Sequence, residues 1–384
     1  MNSVPKVSII IPVYNVERLL RSCLQSAVNQ TLRDIQIICI DDKSTDRSLS
    51  ILKEYAQKDS RIILLEQAVN QGQGVARNRG LAVATGEYIM FLDADDWYEP
   101  TACEDAYNHI SQHKNDVCLF GSYFVKPNRR FVNMRMADAY ANVAPPIYFK
   151  DLNTNFMTNM ASCPYIYNKQ FLQTNHIVYP NDRIGEDVCF MAQVYTHAKS
   201  FSVLYKPLYN YRMLPPEQKE KGSSMDISRW GDTFGVRERG LQIIAKASCA
   251  NLTNAYLAYC VRSILYWGKA FSSQNPAIRQ DYYKKTVEFF LKLSKKYDLS
   301  SAEKENPLVT KIIKNPRPYW QRNRYVNKIC PLPKKAELVT HKKTFLEKIF
   351  SLKRSANRST KVLTVLGIKF IVKHYGTKPN QGSR

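Results

Sequence analysis

The segment 91–100, FLDADDWYEP, places Asp93, Asp95, Asp96 and Glu99 directly behind the apolar run EYIMFL. Standing alone, such a cluster is a solvated acidic turn. Behind a buried strand it is a set of oxygen ligands held at a fixed place. On an extended strand end Asp93 and Asp95 share a face, because side chains alternate with period two. Converging carboxylates repel one another and lose hydration, so their working state needs a cation. Mg²⁺ or Mn²⁺ fits, since hard cations take oxygen ligands and bridge diphosphates. Asp93, Asp95 and Asp96 are therefore the candidate metal ligands.

Three further patterns carry weaker signals. Asp41 and Asp42 close the apolar run IQIICIDD, where a carboxylate can accept from a nucleotide's base or ribose. The same stretch, DDKSTD, also reads as a helix N-cap with Ser44 or Thr45 capping. Tyr14 in PVYN offers a ring face for a base, or is a core or rim residue. Glu186 and Asp187 in GEDVCF open a predicted helix. There they complement the macrodipole, or one of them serves as general base on a hydroxyl.

The stretch NQGQGVARNRG imitates a dinucleotide fingerprint, but Arg77 holds the third glycine position and this is the third strand-to-helix turn. Arg77 or Arg79 facing a diphosphate is the better reading, with a solvent-facing arginine as the plain alternative. The histidines form no paired ligand spacing.

These residues sit in a regular frame. KVSIIIPVYN, IQIICIDD, RIILLEQ and GEYIMFLDADD read as strands. VERLLRSCLQSAVNQT, STDRSLSILKEYAQK and QGVARNRGLAVA read as the helices between them. Strict alternation predicts an α/β fold with a mostly parallel, doubly wound sheet. Ligands in such sheets lie beyond the carboxyl ends of the strands, where most of these acids fall. After Pro100 the pattern loosens. CEDAYNHISQHK reads as a helix, DVCLFGSYFV as a strand and 127–146 as an excursion with short strands. The stretch from PYIYN to PLYNYR reads as helix, loop, helix and strand. PPEQKEKGSS is a boundary. Residues 226–305 are helical, and their recurrent aromatics fit helix packing better than a sugar-stacking groove. Residues 306–384 form a basic tail with an amphipathic stretch, KKTFLEKIFSLKRS, and an alternating one, KVLTVLGIKFIVK.

The 384 residues are 44% hydrophobic, ample for a sizeable core, and carry a net charge of +23. From Lys311 onward, nineteen Lys and Arg face two Glu. A polybasic end seeks a polyanion, either nucleic acid or an anionic membrane face, or else is a solubilising tail. Nine scattered cysteines without a CxxC argue against a disulfide framework and a zinc site, and fit a reducing cytoplasm. The start of the chain does not read as a signal peptide. No run approaches the roughly 20 apolar residues that cross a bilayer.

The stretch from VSIIIPVYN to DDKSTDRS, followed by NQGQGVARNRGLAVATGEYIMFLDADD and then GEDVCF, resembles the family 2 glycosyltransferases of GT-A fold. The likeness covers about residues 5–210. It implies a GT-A domain over 1–215, with a donor half 1–100 and an acceptor half 101–215. It also implies inverting transfer from a nucleotide-sugar donor, most often a UDP-sugar, with a divalent metal. Pro12 and Tyr14 then correspond to the base-binding end of the first strand, with Glu17 beside them. Asp42 corresponds to the acid that reads the base, Asp93 to the ribose-side acid and Asp95 to the metal ligand, with Asp96 competing for that role. Asp187 corresponds to the catalytic base and Glu186 to its neighbour. The middle region resembles bacterial members that build lipopolysaccharide, capsule or other surface glycan. The implied setting is a cytoplasmic enzyme on the anionic inner membrane face, acting on a glycan or lipid-linked glycan, with no nucleic acid partner.

Overall fold

The computed structural model describes residues 4–134, 147–148, 157, 160–181, 185–213, 232–270, 276–300, 303, 306–314, 350–354, 360–365 and 368–373. Strands β1 (Val7–Val13) and β2 (Ile35–Asp41) are buried along their whole length. That is what runs of Val and Ile covered on both faces become. β3 (Ile62–Glu66) pairs with β2, and β4 (Tyr88–Phe91) pairs on the other side of β1, all parallel. Helices α1 (Glu17–Val28), α2 (Ser48–Lys58) and α3 (Gln73–Val83) connect them. With the order β3-β2-β1-β4, right-handed crossovers place α1 and α2 on one face and α3 on the other. The chain thus reverses its winding direction at β1 and β4, and a crevice opens where such a sheet binds ligands. α3 packs so tightly that a Cβ on Gly80 would lie 2.5 Å from Ile10 Cγ2.

Pro12 sits inside β1 without costing a ladder bond. Val13 accepts from Asp42 on the β2 side, whereas Ile10 accepts from Leu92 on the β4 side. By alternation Pro12 also faces β4, beyond the last paired residues, Ile10 and Phe91.

The second half adds β5 (Trp97–Tyr98), α4 (Ala102–His113), β6 (Val117–Lys126), β7 (Arg129–Asn133), β8 (Tyr165–Asn168), α5 (Lys169–Thr174), α6 (Glu186–His197) and β9 (Phe201–Arg212). The sheet runs β3-β2-β1-β4-β8-β6-β9-β5, with β7 paired to β6. β8 is antiparallel to β4 and β6, so the sheet is parallel in the donor half and mixed beyond it. Two expectations need correction. PYIYN is not helical: Tyr165–Tyr167 are buried strand residues, and Asn168 caps α5 by accepting from the Phe171 N–H. Nor is DADD extended. β4 ends at Phe91 and the chain turns, with Asp96 N–H donating to the Asp93 carbonyl at 3.0 Å.

Helices α7 (Asp232–Ala245), α8 (Ala250–Ala270), α9 (Pro276–Ser294) and α10 (Pro307–Lys314) follow. The chain divides into two units, Met1–Leu265 with Lys285–Arg317, and Tyr266–Lys284 with Pro318–Arg384. In the first, Tyr256, Tyr259, Phe289 and Phe290 are buried, as helix-packing aromatics are. In the second, β10 (Phe350–Arg354), β11 (Thr360–Val365) and β12 (Ile368–Lys373) form an antiparallel sheet. The expected boundary at 215–224, residues 135–146 of the excursion and residues 342–349 of the amphipathic stretch lie outside the described residues. All eight described cysteines are free thiols.

Candidate active site

Arg77 organises the site. It stands on α3, is fully buried, and reaches acids from two distant stretches. Nη2 donates to Asp93 Oδ1 at 2.7 Å, and Nη1 donates to Glu186 Oε1 at 3.0 Å and Asp187 Oδ1 at 3.3 Å. Its guanidinium also lies 5.0 Å from the centre of the Tyr179 ring. The DADD turn and the start of α6 therefore meet on one cation. Arg77, expected to face a diphosphate, shares its charge among three carboxylates, and Arg79 donates to the Glu66 carbonyl.

Short-range devices fix this meeting. Gly185 takes φ 70° at the entry to α6, a left-handed conformation that glycine adopts without strain. A Cβ on Gly74 would lie 2.9 Å from the Pro180 carbonyl and 3.3 Å from Glu186, so α3 lies directly against the approach to α6. Asn78 pairs reciprocally with the Tyr179 backbone. Tyr179 stacks on Phe190 and donates to Ser162, which donates to Asp187 Oδ1 at 2.8 Å. Of the glycines that imitate a phosphate loop, Gly74 thus serves close packing.

Asp187 keeps about a quarter of its side chain open (26%), and Asp93 31%. Burial, opposed by Arg77 and reinforced by Glu186 and Asp93, pushes the Asp187 carboxyl up to about 7. Glu186 is buried and also accepts from Gln73, so it anchors rather than reacts.

The remaining acids divide by what their oxygens already hold. Asp95 is half-buried on the turn, and its carbonyl accepts from Arg212 Nε. Asp96 is buried, with Oδ1 accepting from Arg212 N–H at 2.7 Å and Oδ2 from Tyr209 OH at 2.6 Å. Burial and the neighbouring Asp95 and Asp93 hold its carboxyl well above the usual range. Both oxygens of Asp96, expected among the metal ligands, hold β9 against the turn. Asp42 is equally engaged, accepting from Gln67 Nε2 and from the backbone of Gln71 and Gly72. It secures the 67–72 loop, with Gly72 at φ 91°.

At the end of β1, Tyr14 is 42% exposed and Pro12 is buried. Glu17 accepts from Arg47 N–H while its own N–H donates to Asp46, tying the starts of α1 and α2 together. Neither Ser44 nor Thr45 caps α2, whose N-cap is Arg47, and Asp46 accepts from Ser48 N–H. Ser44 instead accepts from Asn15 N–H. Sequence reasoning did not single out Ser162, Tyr179, Tyr209 or Arg212. Their signal is only a polar tip on a buried aromatic, or an arginine at a strand end.

Residues 8–176 match the family model described as Glycosyl transferase family 2. This segment is a family 2 glycosyltransferase domain. Around it, 217 residues are 33% identical to glycosyltransferase GlyA of Streptococcus pneumoniae, covering 54% of this chain and 30% of GlyA. Another 227-residue match is 34% identical to the poly(ribitol-phosphate) beta-glucosyltransferase of Bacillus spizizenii, covering 58% of this chain and 34% of that protein. The matched region spans less than two thirds of the length of these relatives. The crystal structure of S. aureus TarS 1-349 in complex with UDP-GlcNAc superposes with a TM-score of 0.63 at 20% identity, covering 97% of this chain and 100% of that one. The family 2 domain thus has the GT-A fold, with its acids at the carboxyl edge of β1 and β4.

Proposed function

We propose that this chain is an inverting glycosyltransferase that moves a sugar from a UDP-sugar to a hydroxyl of a growing cell-surface glycan. One observation carries the reading: a single buried guanidinium joins Asp93 of the donor half to Asp187 of the acceptor half. Asp187 is the general base, and a carboxyl titrating near neutrality suits that task. It removes the acceptor hydroxyl's proton as that oxygen bonds the anomeric carbon and the bond to the diphosphate oxygen breaks. In-line attack needs no second, nucleophilic carboxylate. Arg77 and Ser162 orient the base. Tyr14, exposed at the end of β1, is the stacking face for the base, and Asp42 shapes that end of the pocket.

The residues also fit a divalent cation. Asp93, Asp95, Glu186 and Asp187 outnumber Arg77 in this site, and the donor set is all oxygen. Among the described residues no group of three or more His, Cys, Asp or Glu is disposed as a metal site; an ion here would share one or two carboxylates with the donor's phosphates, as Mg²⁺ does. Asp95 and Asp93 would hold it, and when bound Mg²⁺ or Mn²⁺ supplies charge neutralisation for the leaving diphosphate.

TarS has been crystallised with UDP and with UDP-GlcNAc, and relatives carry poly(ribitol-phosphate) and teichoic acid in their names. These support a UDP donor and a surface polymer, and lipopolysaccharide or capsule is our finer reading of that polymer. The basic tail docks the enzyme on an anionic inner membrane face, and among the described residues no helix is long and apolar enough to cross one. Thermal-shift screening against nucleotide sugars, with and without Mn²⁺, tests the donor site. Ligand at about 100 times its dissociation constant adds roughly 2.7 kcal/mol. Stabilisation by UDP-sugars only with metal is the expected result, and indifference to all of them would falsify the reading.

A further inference from the structure

The outer ends of β6, β7 and β9 continue the sheet away from the acids, and one face of this extension is unusual. Register places Ser122 opposite Asn133 and Tyr209, Phe124 opposite Phe131 and Tyr211, and Lys126 opposite Arg129. Directly opposed residues share a face, so Tyr211, Phe124, Phe131, Lys126 and Arg129 line one surface, and the buried Tyr209 closes its inner end. Its inner end abuts the acidic turn, for Tyr209 OH donates to Asp96 and accepts from Asp93 N–H at 3.4 Å. A register shift at Gly121 sets the outer segment off from the inner sheet, as bulges beside active sites do.

The middle of this surface is aromatic and open. Phe124 packs against Phe131 and Tyr211, with ring centres 5.7 and 5.5 Å apart. Phe131 and Tyr211 are 38% and 40% exposed. Its outer end is basic. Lys126 and Arg129 face each other across the two-residue turn, and neither has a carboxylate partner among the described residues. Arg129 lies over the Phe131 ring at 5.4 Å. Like charges directly opposed across strands repel, and a bound anion relieves that repulsion. On the other face the same strands neutralise their cation, since Arg130 pairs with Glu99 at 2.5 Å. From Ser122, opposite Tyr209, to Lys126 the surface runs four residues, roughly 13 Å, the length of a short oligosaccharide rather than of one sugar.

We infer that this surface is the acceptor shelf and that its ligand is a glycan chain carrying anionic groups. Sugar rings stack on Phe131 and Tyr211, an anion of the chain pairs with Arg129 and Lys126, and the terminal hydroxyl reaches Asp187. The inference rests on the transferase reading for its direction toward the acids. It goes beyond that reading in naming the acceptor's charge and the residues that select it.

The test uses the full chain and three oligomers of matched length: poly(glycerol phosphate), oligogalacturonate and dextran. Hydrogen–deuterium exchange is followed on peptides covering 122–133, separately from those of the basic tail. Slowed exchange at 122–133 with an anionic oligomer and not with dextran is expected. Protection by the phosphodiester alone or the carboxylate alone supports the shelf and fixes the anion. Arg129→Gln and Phe131→Ala should each weaken that protection about tenfold, the loss of one charge-assisted or stacking contact. Both positions are exposed, and unchanged UDP-sugar stabilisation in the same variants shows that fold and donor site are intact. Protection confined to tail peptides, equal protection by dextran, or full protection in the double variant overturns the shelf and leaves the donor reading standing. Loss of UDP-sugar binding by the wild-type chain would instead strike the transferase reading.

Discussion

Asp93 and Asp96 lie three residues apart in one turn and live in different worlds. Asp93 is 31% open and bound on one oxygen by a guanidinium. Asp96 is buried, with both oxygens taken by β9. Asp187 and Asp42 repeat the contrast, the first partly open with its carboxyl pushed up to about 7, the second filled by the 67–72 loop. An acid in a motif is thus either a reagent or a clamp. What separates them is how many backbone and phenol donors already occupy its oxygens.

That division can be attacked directly, and the reagent side should break hardest. Asp187→Asn removes the proposed base and should lower transfer by about 10²–10⁴-fold, with UDP-sugar stabilisation preserved. In the wild type the base works only when deprotonated. Raised to about 7 by burial, its carboxyl should give a rate that falls tenfold per unit below that pH and levels off above it. A profile flat from acid to neutral would exclude Asp187. Next comes Arg77→Met, which leaves Asp93, Glu186 and Asp187 without their shared cation. Breaking a buried ion pair by deleting one partner costs about 3–5 kcal/mol, so a large drop in Tm is expected, more severe than for any single acid of the cluster. The smallest effects should sort the two members of the turn. Asp96→Asn cannot accept as well from both Tyr209 and Arg212 and should lose about 1–3 kcal/mol of stability while Mn²⁺ still strengthens UDP-sugar binding. Asp95→Asn should do the reverse, keeping Tm and losing the metal effect. Identical behaviour of the two variants would mean that the clamp and reagent distinction is wrong.

The frame was largely legible before folding. Parallel strands covered on both faces must be largely apolar runs, and β1, β2 and β4 are, with the buried Ser8 of β1 and Gln36 of β2 bonded to each other. β8 escaped because four residues, Tyr165–Asn168, run straight into α5 with Asn168 serving both elements. The site was legible only as separate acids. Arg77 finds its partners 16, 109 and 110 positions away, and nothing in ARNRG distinguishes an arginine that faces phosphate from one that closes a core cluster. Saturation of Asp42 and Asp96 was equally hidden, because it depends on which N–H groups a loop brings back.

The packing at Gly74 has a consequence for how such a site can drift. The spacing between α3, which carries Arg77, and the approach to α6 is gauged by a missing methyl group, since the two touch with only hydrogen between them. Alanine at that position would act as a shim, levering the arm bearing Asp187 outward while leaving every charged residue in place. Reactivity in this molecule can therefore be detuned by bulk alone, from a position that carries no chemistry.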